Sequence, residues 1–187
     1  MVYIVMTIFI ITGFLIIILS KKLFAISDVV EPTINFNLLR FKNELALSES
    51  SNDYHAIAHS KTGNPIAFGK YQFTVDTIKD VAEKLNIKSP QITEFLNNHV
   101  LQETFADKHI LDLKNEIKNK FSGYLGIPVI SKKTKLKTNI NIYGLIAGAW
   151  LGGIGGLNKF LRYGQDASDG NTFISDYVAK FSKIFNV

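Results

Sequence analysis

The sequence predicts a mainly α-helical protein, with one domain over residues 36–187 that follows a single N-terminal transmembrane helix. In several long stretches apolar residues recur every three or four positions, which is the period of a helix with one buried face. Residues that favour helix starts stand in front of two of these stretches. The segment Val2–Leu19 differs from them, because it contains no charged residue and is rich in Ile, Val, Leu and Phe.

Val2–Leu19 is just long enough to cross a bilayer, whose hydrocarbon core needs about 20 apolar residues. A helix here would have no polar face, as is typical of a membrane span. We therefore expect residues 1–27 to form a membrane anchor or an uncleaved signal segment. A cleaved signal peptide is the alternative, because Ala25-Ile26-Ser27 offers small residues. Basic residues are missing before the apolar run, however, and Lys21-Lys22 follow it.

The first helix of the domain is expected at Phe36–Glu49. Residues 28–35 precede it and include the run Asp-Val-Val-Glu-Pro-Thr, which predicts a short linker. Within the helix, Leu38, Phe41 and Leu45 recur at positions i, i+3 and i+7, so they lie along one apolar stripe.

The segment after this helix is polar and favours turns, so residues 52–68 are expected to be irregular with one small hairpin. Thr74 is a suitable N-cap for a second helix that ends near Leu85. Ile78 and Val81 contribute to the apolar stripe of that helix.

A further helical region is predicted from Ser89-Pro90, because a hydroxyl can cap a helix and proline suits the first helical position. The helical pattern continues to about Lys120, with a break near Asn97-Asn98. Its apolar positions predict the following core residues: Phe95, Leu96, Val100, Phe105 and Leu113.

Residues 121–138 contain two glycines and a proline and do not favour a helix. Their basic run 131–137, Ser-Lys-Lys-Thr-Lys-Leu-Lys, predicts an exposed loop or hairpin. It is interpreted either as a solvated insertion or as a contact for anionic glycan–peptide strands or a partner complex. Two more helices are expected at residues 141–151, where a glycine-rich run ends the helix, and at residues 172–185.

The composition argues against several kinds of site. The net charge of +5 is spread along the chain and is not typical of a nucleic-acid interface. The absence of cysteine excludes disulfides and thiolate–metal sites within this sequence. The four histidines lack metal-ligand spacing, and the acidic loop 164–171 lacks the spacing of an EF-hand. We therefore expect no metal and no organic cofactor.

Glu49 is the strongest candidate for chemistry. It stands where the first helix should end, and a loop with many polar residues follows. A carboxyl group that is partly buried in such a place keeps its proton near neutral pH, because burial disfavours the charged form. It can then act as a general acid.

The surroundings of Glu49 contain an ordered set of motifs: Glu49-Ser50, Tyr54, Ala56, Ser60, Gly63 and Gly69-x-x-Gln72. This set resembles the first two motifs of the lysozyme-like lytic transglycosylases. The sequence Gly-Lys-Tyr-Gln is most similar to the corresponding motif of phage-type and secretion-system-associated members. The run Ala149-Trp150-Leu151-Gly152-Gly153-Ile154-Gly155-Gly156 resembles the family's Ala-Ala-Tyr-Asn-Ala-Gly-x-Gly motif, with Trp150 at the tyrosine position and Leu151 at the asparagine position. Thr172 with Tyr177-Val178 resembles the fourth motif, with looser spacing. The resemblance covers residues 38–185.

The resemblance implies an α+β lysozyme-like fold and cleavage of the β-1,4 bond between N-acetylmuramic acid and N-acetylglucosamine in peptidoglycan. It implies that Glu49 is the catalytic acid and base, that Tyr177 holds Glu49, and that the product is a 1,6-anhydro sugar. The positions that the resemblance assigns to substrate binding are Ser50, Gly69, Tyr71, Gln72, Ala149, Trp150, Gly153 and Tyr177.

Two alternatives remain. A lysozyme-type muramidase normally uses two carboxylates, and Asp53, Asp76 and Asp107 are candidates for the second, although none has a motif of its own. A catalytically silent peptidoglycan-binding part of an envelope-spanning complex is the other alternative. Leu151 favours it, because the family has an asparagine there.

The expected location follows from the substrate. A peptidoglycan-cleaving domain works outside the cytoplasmic membrane, so we expect a single-pass inner-membrane protein with its domain in the periplasm. Lys21-Lys22 argue for the opposite orientation under the positive-inside rule, but Asp28 and Glu31 follow closely and the bias is small. The expected partners are glycan strands, the inner membrane through Val2–Leu19, and an envelope-spanning complex.

Overall fold

The computed structural model describes residues 38–186. The predicted anchor at 1–27, the span Val2–Leu19 and the linker at 28–35 lie outside this range. None of the helices between residues 38 and 186 combines the length and the apolar character that a membrane crossing requires. The chain divides into two compact units, Met1–Glu44 and Leu45–Val187. In the first, the described residues are helical, and the second contains every contact reported below.

The described chain is mainly helical, as predicted, with a few short strands. Its elements in order are α1 (38–50), β1 (Ile57–His59), β2 (Pro65–Phe68), α2 (Val75–Lys84), α3 (Ile92–Asn97), α4 (His99–Phe121), a 3-10 turn (Ser122–Tyr124), β3 (Pro128–Ile130), β4 (Lys137–Asn139), α5 (Ile142–Tyr163) and α6 (Ile174–Ile184).

The strands form two antiparallel hairpins, one in each region where the sequence predicted a loop or hairpin. In the first, Ile57 pairs with Phe68. In the second, Val129 pairs with Thr138, and residues 131–136 form the basic turn between the strands.

Two of the three predicted helix boundaries in the middle of the chain are confirmed. The Thr74 hydroxyl accepts a hydrogen bond from the Thr77 amide and caps α2. The break near Asn97-Asn98 is also present, and the Asn98 side chain caps α4. The start at Ser89-Pro90 is wrong, because α3 begins at Ile92 after an N-cap residue that makes no side-chain bond. A cap contributes only about 1 kcal/mol, so the packing of neighbouring residues can outweigh it.

One predicted core residue of α4 is wrong. Phe95, Phe105 and Leu113 are buried, but the Val100 side chain is 77% exposed. The buried stripe of α4 includes Gln102, which is two positions from Val100. Two helical positions are separated by about 200°, so Val100 lies on the opposite face.

Helices α5 and α6 pack closely because glycines recur every four residues along α5. A side chain at Gly144 would collide with Ser182, and one at Gly148 would approach Val178 Cγ2 at 2.6 Å. The contacts run antiparallel along α6, which fixes the depth at which α6 lies against the domain. Tyr177, next to Val178, is positioned by this packing.

The sequence predicted that the glycine-rich run ends α5, and this prediction is wrong. Instead α5 is kinked at Gly153, whose φ of 66° and ψ of 169° lie outside the helical region, and the helix resumes. It ends at Tyr163, followed by Gly164 in the left-handed conformation. Glycine tolerates both backbone conformations because it has no Cβ.

Candidate active site

Glu49 lies in the last turn of α1, with its carboxyl group partly buried. Burial raises the pKa of this carboxyl from its ordinary value of 4.5 to about 7, because the charged form loses solvation. A carboxyl with this pKa is about half protonated at neutral pH. It can donate a proton and accept one back under the same conditions.

Tyr177 on α6 contacts Glu49 directly. Its hydroxyl donates a hydrogen bond of 3.0 Å to Glu49 Oε1, across a separation of 128 residues in sequence. The Tyr177 side chain is itself buried, and the proximity of the Glu49 charge raises its pKa further. The phenol therefore stays protonated and serves as a fixed donor, which orients the carboxyl group.

Two charged residues that the sequence analysis did not select also act on Glu49. The negative charge of Asp169 raises the pKa of Glu49, and the positive charge of Lys180 lowers it. Lys180 lies one helical turn after Tyr177, and its Nζ donates a 2.7 Å hydrogen bond to Ser48 Oγ. The i, i+3 spacing from Tyr177 was a signal for Lys180, since residues three apart share a helix face. Asp169 belongs to the acidic loop 164–171, which lacks the spacing of an EF-hand and gave no signal for a role beside Glu49.

Ser50 connects the end of α1 to the loop after β2. Its hydroxyl donates a 2.7 Å hydrogen bond to the Lys70 carbonyl and accepts one from the Asp53 amide. Both contacts are to backbone atoms of this chain. The motif residue next to Glu49 therefore fixes the loop against the helix end.

Gly69 is required by the packing of its own loop. Its φ is +77°, and a Cβ at this position would collide with the side chain of Gln102. Gln102 is fully buried, and its Oε1 accepts a hydrogen bond from the Lys70 amide at 2.9 Å. Its Nε2 donates to backbone carbonyls that include those of Tyr54 and Phe95. Gln102 was not predicted from the sequence, because it lies within an ordinary helical pattern.

Gln72 also has a structural contact. Its φ of +51° is left-handed, and its Nε2 donates a 2.8 Å hydrogen bond to the Gly69 carbonyl. The side chain thereby closes the loop on itself. It remains partly exposed.

Tyr71 was expected to bind substrate, but the structure places it in the core. The residue is fully buried, and its hydroxyl donates to the Glu103 carboxylate, 2.9 Å from Oε2. Lys70 forms a 2.9 Å ion pair with the same carboxylate, and Tyr54 donates to it at 2.7 Å. Burial and the Glu103 charge raise the pKa of Tyr71 strongly. The contacts of Tyr54, Lys70 and Tyr71 with Glu103 thus hold the loop after β2 against α4.

The α5 motif residues divide between core and surface. Ala149 is buried, and Trp150 packs edge-on against Phe73 while its Nε1 donates a 3.2 Å hydrogen bond to the Tyr71 carbonyl. Gly153 is exposed at the kink. The motif residues thus form two connected groups: the loop and α5 meet at Tyr71, and α1 and α6 meet at Glu49.

No group of three or more His, Asp or Glu side chains within residues 38–186 is arranged to hold a metal ion. Asp53, Asp76 and Asp107 are not among the charges that act on Glu49, whereas Asp169 is. Asp169 is therefore the best candidate for a second carboxylate at this site.

Comparison of the chain with protein-family models, with curated proteins and with solved structures found no match.

Proposed function

We propose that the domain is a lysozyme-like lytic transglycosylase that cleaves peptidoglycan glycan strands, with Glu49 as its single catalytic acid and base. The observation that supports this most is the 3.0 Å hydrogen bond from Tyr177 to a glutamate whose pKa is about 7. The resemblance assigns these two positions as catalytic glutamate and supporting tyrosine. The two residues belong to the first and the last motif in the sequence, yet their side chains are in contact.

In the proposed reaction, protonated Glu49 donates its proton to the glycosidic oxygen between N-acetylmuramic acid and N-acetylglucosamine. The bond from that oxygen to the muramoyl C1 breaks, and positive charge develops at C1. Ionised Glu49 then accepts the proton of the muramoyl C6 hydroxyl while the C6 oxygen forms a bond to C1. The products are a 1,6-anhydro sugar and a new chain end, and Glu49 is protonated again. A pKa of about 7 suits both steps, because neither form of the carboxyl dominates at neutral pH.

A muramidase is the second candidate function, and the electrostatic effect of Asp169 on Glu49 is the observation that favours it. Retaining and inverting hydrolases place a second carboxylate near the acid, where it stabilises C1 or activates water. Asp169 is the carboxylate whose charge raises the pKa of Glu49.

Digestion of purified wall sacculi, with product masses, tests both candidates. The transglycosylase product is one water lighter than the hydrolysed product. Glu49→Gln should abolish cleavage, and Glu83→Gln, at an exposed glutamate of α2, is the matched control. Hydrated products, together with loss of activity in Asp169→Asn, would replace the transglycosylase with the muramidase. If the wild type sediments with sacculi but releases nothing, the silent binding module is the correct interpretation.

We propose that the domain acts on the periplasmic side of the inner membrane, with Val2–Leu19 as its anchor and an envelope-spanning complex as a candidate partner. The location of the substrate, outside the cytoplasmic membrane, supports this orientation. Reporter enzymes that work on one side of the membrane, fused after Val187, test the orientation. Activity of the cytoplasmic reporter alone would contradict both the location and the substrate.

A further inference from the structure

A pocket of about 630 Å³ has Tyr177 in its lining. Its lining comes from four places: Ser48 at the end of α1, residues 133–136 of the basic turn, Thr172 before α6, and residues of α6 that include Tyr177 and Lys180. Tyr177 therefore contacts both Glu49 and this pocket. Its volume is within the range of about 300–1,000 Å³ that is typical of ligand sites.

The lining of the pocket is positively charged. It includes Lys133, Lys135 and Lys180, against one aspartate, Asp176. Within residues 38–186 none of the three ammonium groups forms an ion pair, and each donates instead to a neutral oxygen. Three lysines against one aspartate give the lining a net positive charge, so an anion is the ligand that it favours.

Asp176 does not offer its charge to a ligand, because it holds the basic turn in place. Its Oδ1 accepts a 2.6 Å hydrogen bond from Ser131 Oγ and a 2.8 Å hydrogen bond from the Lys133 amide. These donors, together with the Phe173 amide, hold the pKa of Asp176 below its ordinary value.

The basic turn is thus fixed against α6 and is not a loose run of charges. In addition to the Asp176 bonds, the Lys132 amide donates to Ser175 Oγ at 3.1 Å. The Lys132 ammonium lies 4.1 Å from the centre of the Phe173 ring. Preorganised charges bind an anion at a smaller entropic cost than mobile side chains do.

We propose that this pocket binds the free carboxylates of the peptide that is attached to the muramoyl sugar next to the bond cleaved at Glu49. This inference rests on the proposed function for the identity of the polymer. In a strand that carries peptides, the peptide supplies the anionic groups, because the lactyl carboxyl of the muramoyl sugar is bound in the amide that joins the peptide to it. Recognition of the peptide through Lys133 and Lys135 places its sugar beside Tyr177 and Glu49.

The test uses the full-length protein in detergent, with Glu49→Gln so that no ligand is consumed. The two ligands are N-acetylmuramoyl tripeptide and the same molecule with its free carboxylates converted to amides, and calorimetry gives the dissociation constants. The variant Lys133→Gln/Lys135→Gln removes two charges from the pocket. The matched control, Lys118→Gln/Lys137→Gln, removes two exposed lysines that do not line it.

We expect the carboxylate ligand to bind about three- to tenfold more tightly than the amide, since exposed ion pairs contribute modestly. The pocket variant should lose this preference, and the control variant should keep it. Equal binding of the two ligands, an unchanged preference in the pocket variant, or no binding at all would overturn the proposal. If the carboxylate preference holds but the wild type releases nothing from sacculi, the catalytic proposal fails while the assignment of the pocket stands.

Discussion

The hydroxyl of Tyr177 lies 3.0 Å from Glu49 Oε1 and donates to it, so the proton affinity of Glu49 depends on a residue 128 positions away. Three neighbours act on this carboxyl in addition to burial. Tyr177 and Lys180 favour its ionised form, and Asp169 favours its protonated form. The pH dependence of activity should therefore respond to each of them with a predictable sign.

Tyr177→Phe should raise the pH at which activity declines. With Glu49 as the acid, kcat/KM falls as Glu49 ionises with a pKa of about 7. Loss of the donor removes a bond that stabilises the ionised form, so the pKa rises by about half a unit to one unit. Rates on sacculi between pH 5 and 9, with solubilised product as the signal, measure the shift.

Asp169→Asn should lower the pH at which activity declines, the opposite of the effect of Tyr177→Phe. Removal of the negative charge makes ionisation of Glu49 easier, so its pKa falls. The asparagine Oδ1 can still accept the amide hydrogen bonds that the Asn171 and Thr172 backbones donate to Asp169 Oδ1. If both variants shift the decline in the same direction, Glu49 is not the group that titrates.

Glu49→Gln should be the one carboxylate substitution that removes nearly all activity, by about 10²–10⁴-fold. The amide keeps the shape of the side chain but cannot donate and recover a proton. Asp53→Asn, Asp76→Asn and Asp107→Asn should retain most of the activity, since none of these charges acts on Glu49. Thermal melting of each variant controls for folding. A dead variant among these three aspartates that still melts like the wild type would contradict a single-carboxylate mechanism.

The stability of the protein should depend on pH through two groups with opposite signs. The pKa of Glu49 is raised from 4.5 to about 7, so between these values the folded chain holds a proton that the unfolded chain releases. Stability from this group falls as pH rises. Burial lowers the pKa of His109 from 6.5 to about 4, so the unfolded chain binds the extra proton. Stability from His109 therefore falls as pH falls.

Single substitutions should separate these two slopes. Glu49→Gln should be less stable at pH 5 than at pH 6.5, and His109→Gln should be more stable at pH 5, each by up to about 2 kcal/mol. Urea unfolding at the two pH values measures the differences, and His59→Gln, at an exposed histidine, is the control. Asp112 and Asp176 have lowered pKa values, so their contributions change below pH 3.8. Equal slopes in the two variants would contradict the burial of both groups.

Gly69→Ala should destabilise the domain more than Gly63→Ala does. Both glycines have left-handed φ values, of +77° and +83°, so each substitution incurs a backbone cost of about 1–2 kcal/mol. A Cβ at Gly63 meets open space, whereas one at Gly69 collides with Gln102. Displacement of that buried amide leaves backbone partners unpaired and adds about 1–3 kcal/mol. Free energies of unfolding for the pair measure the difference, and equal losses would show that the loop shifts to accommodate a methyl group.

Features that depend on near neighbours could be predicted from the sequence. The helical class follows from the three-to-four-residue period, and both hairpins fall in segments where glycine, proline and polar residues disfavour a helix. The Thr74 cap and the Asn98 break are side-chain to backbone contacts within three residues. The start of α3 and the continuation of α5 past Gly153 were not predictable in this way. Local preferences there are small, and long-range packing outweighs them.

The sequence by itself determined that Glu49 stands at a helix end before a turn-rich loop, and that Gly69 and Gln72 follow in that loop. Only the tertiary structure decided what these residues do. Burial and hydrogen-bond partners come from segments far apart in the chain, and they set both the pKa of Glu49 and the structural role of Tyr71. Close packing along the α5 glycines brings α6 to the depth at which Tyr177 reaches Glu49. No local pattern specifies that distance, because it depends on how two helices fit together.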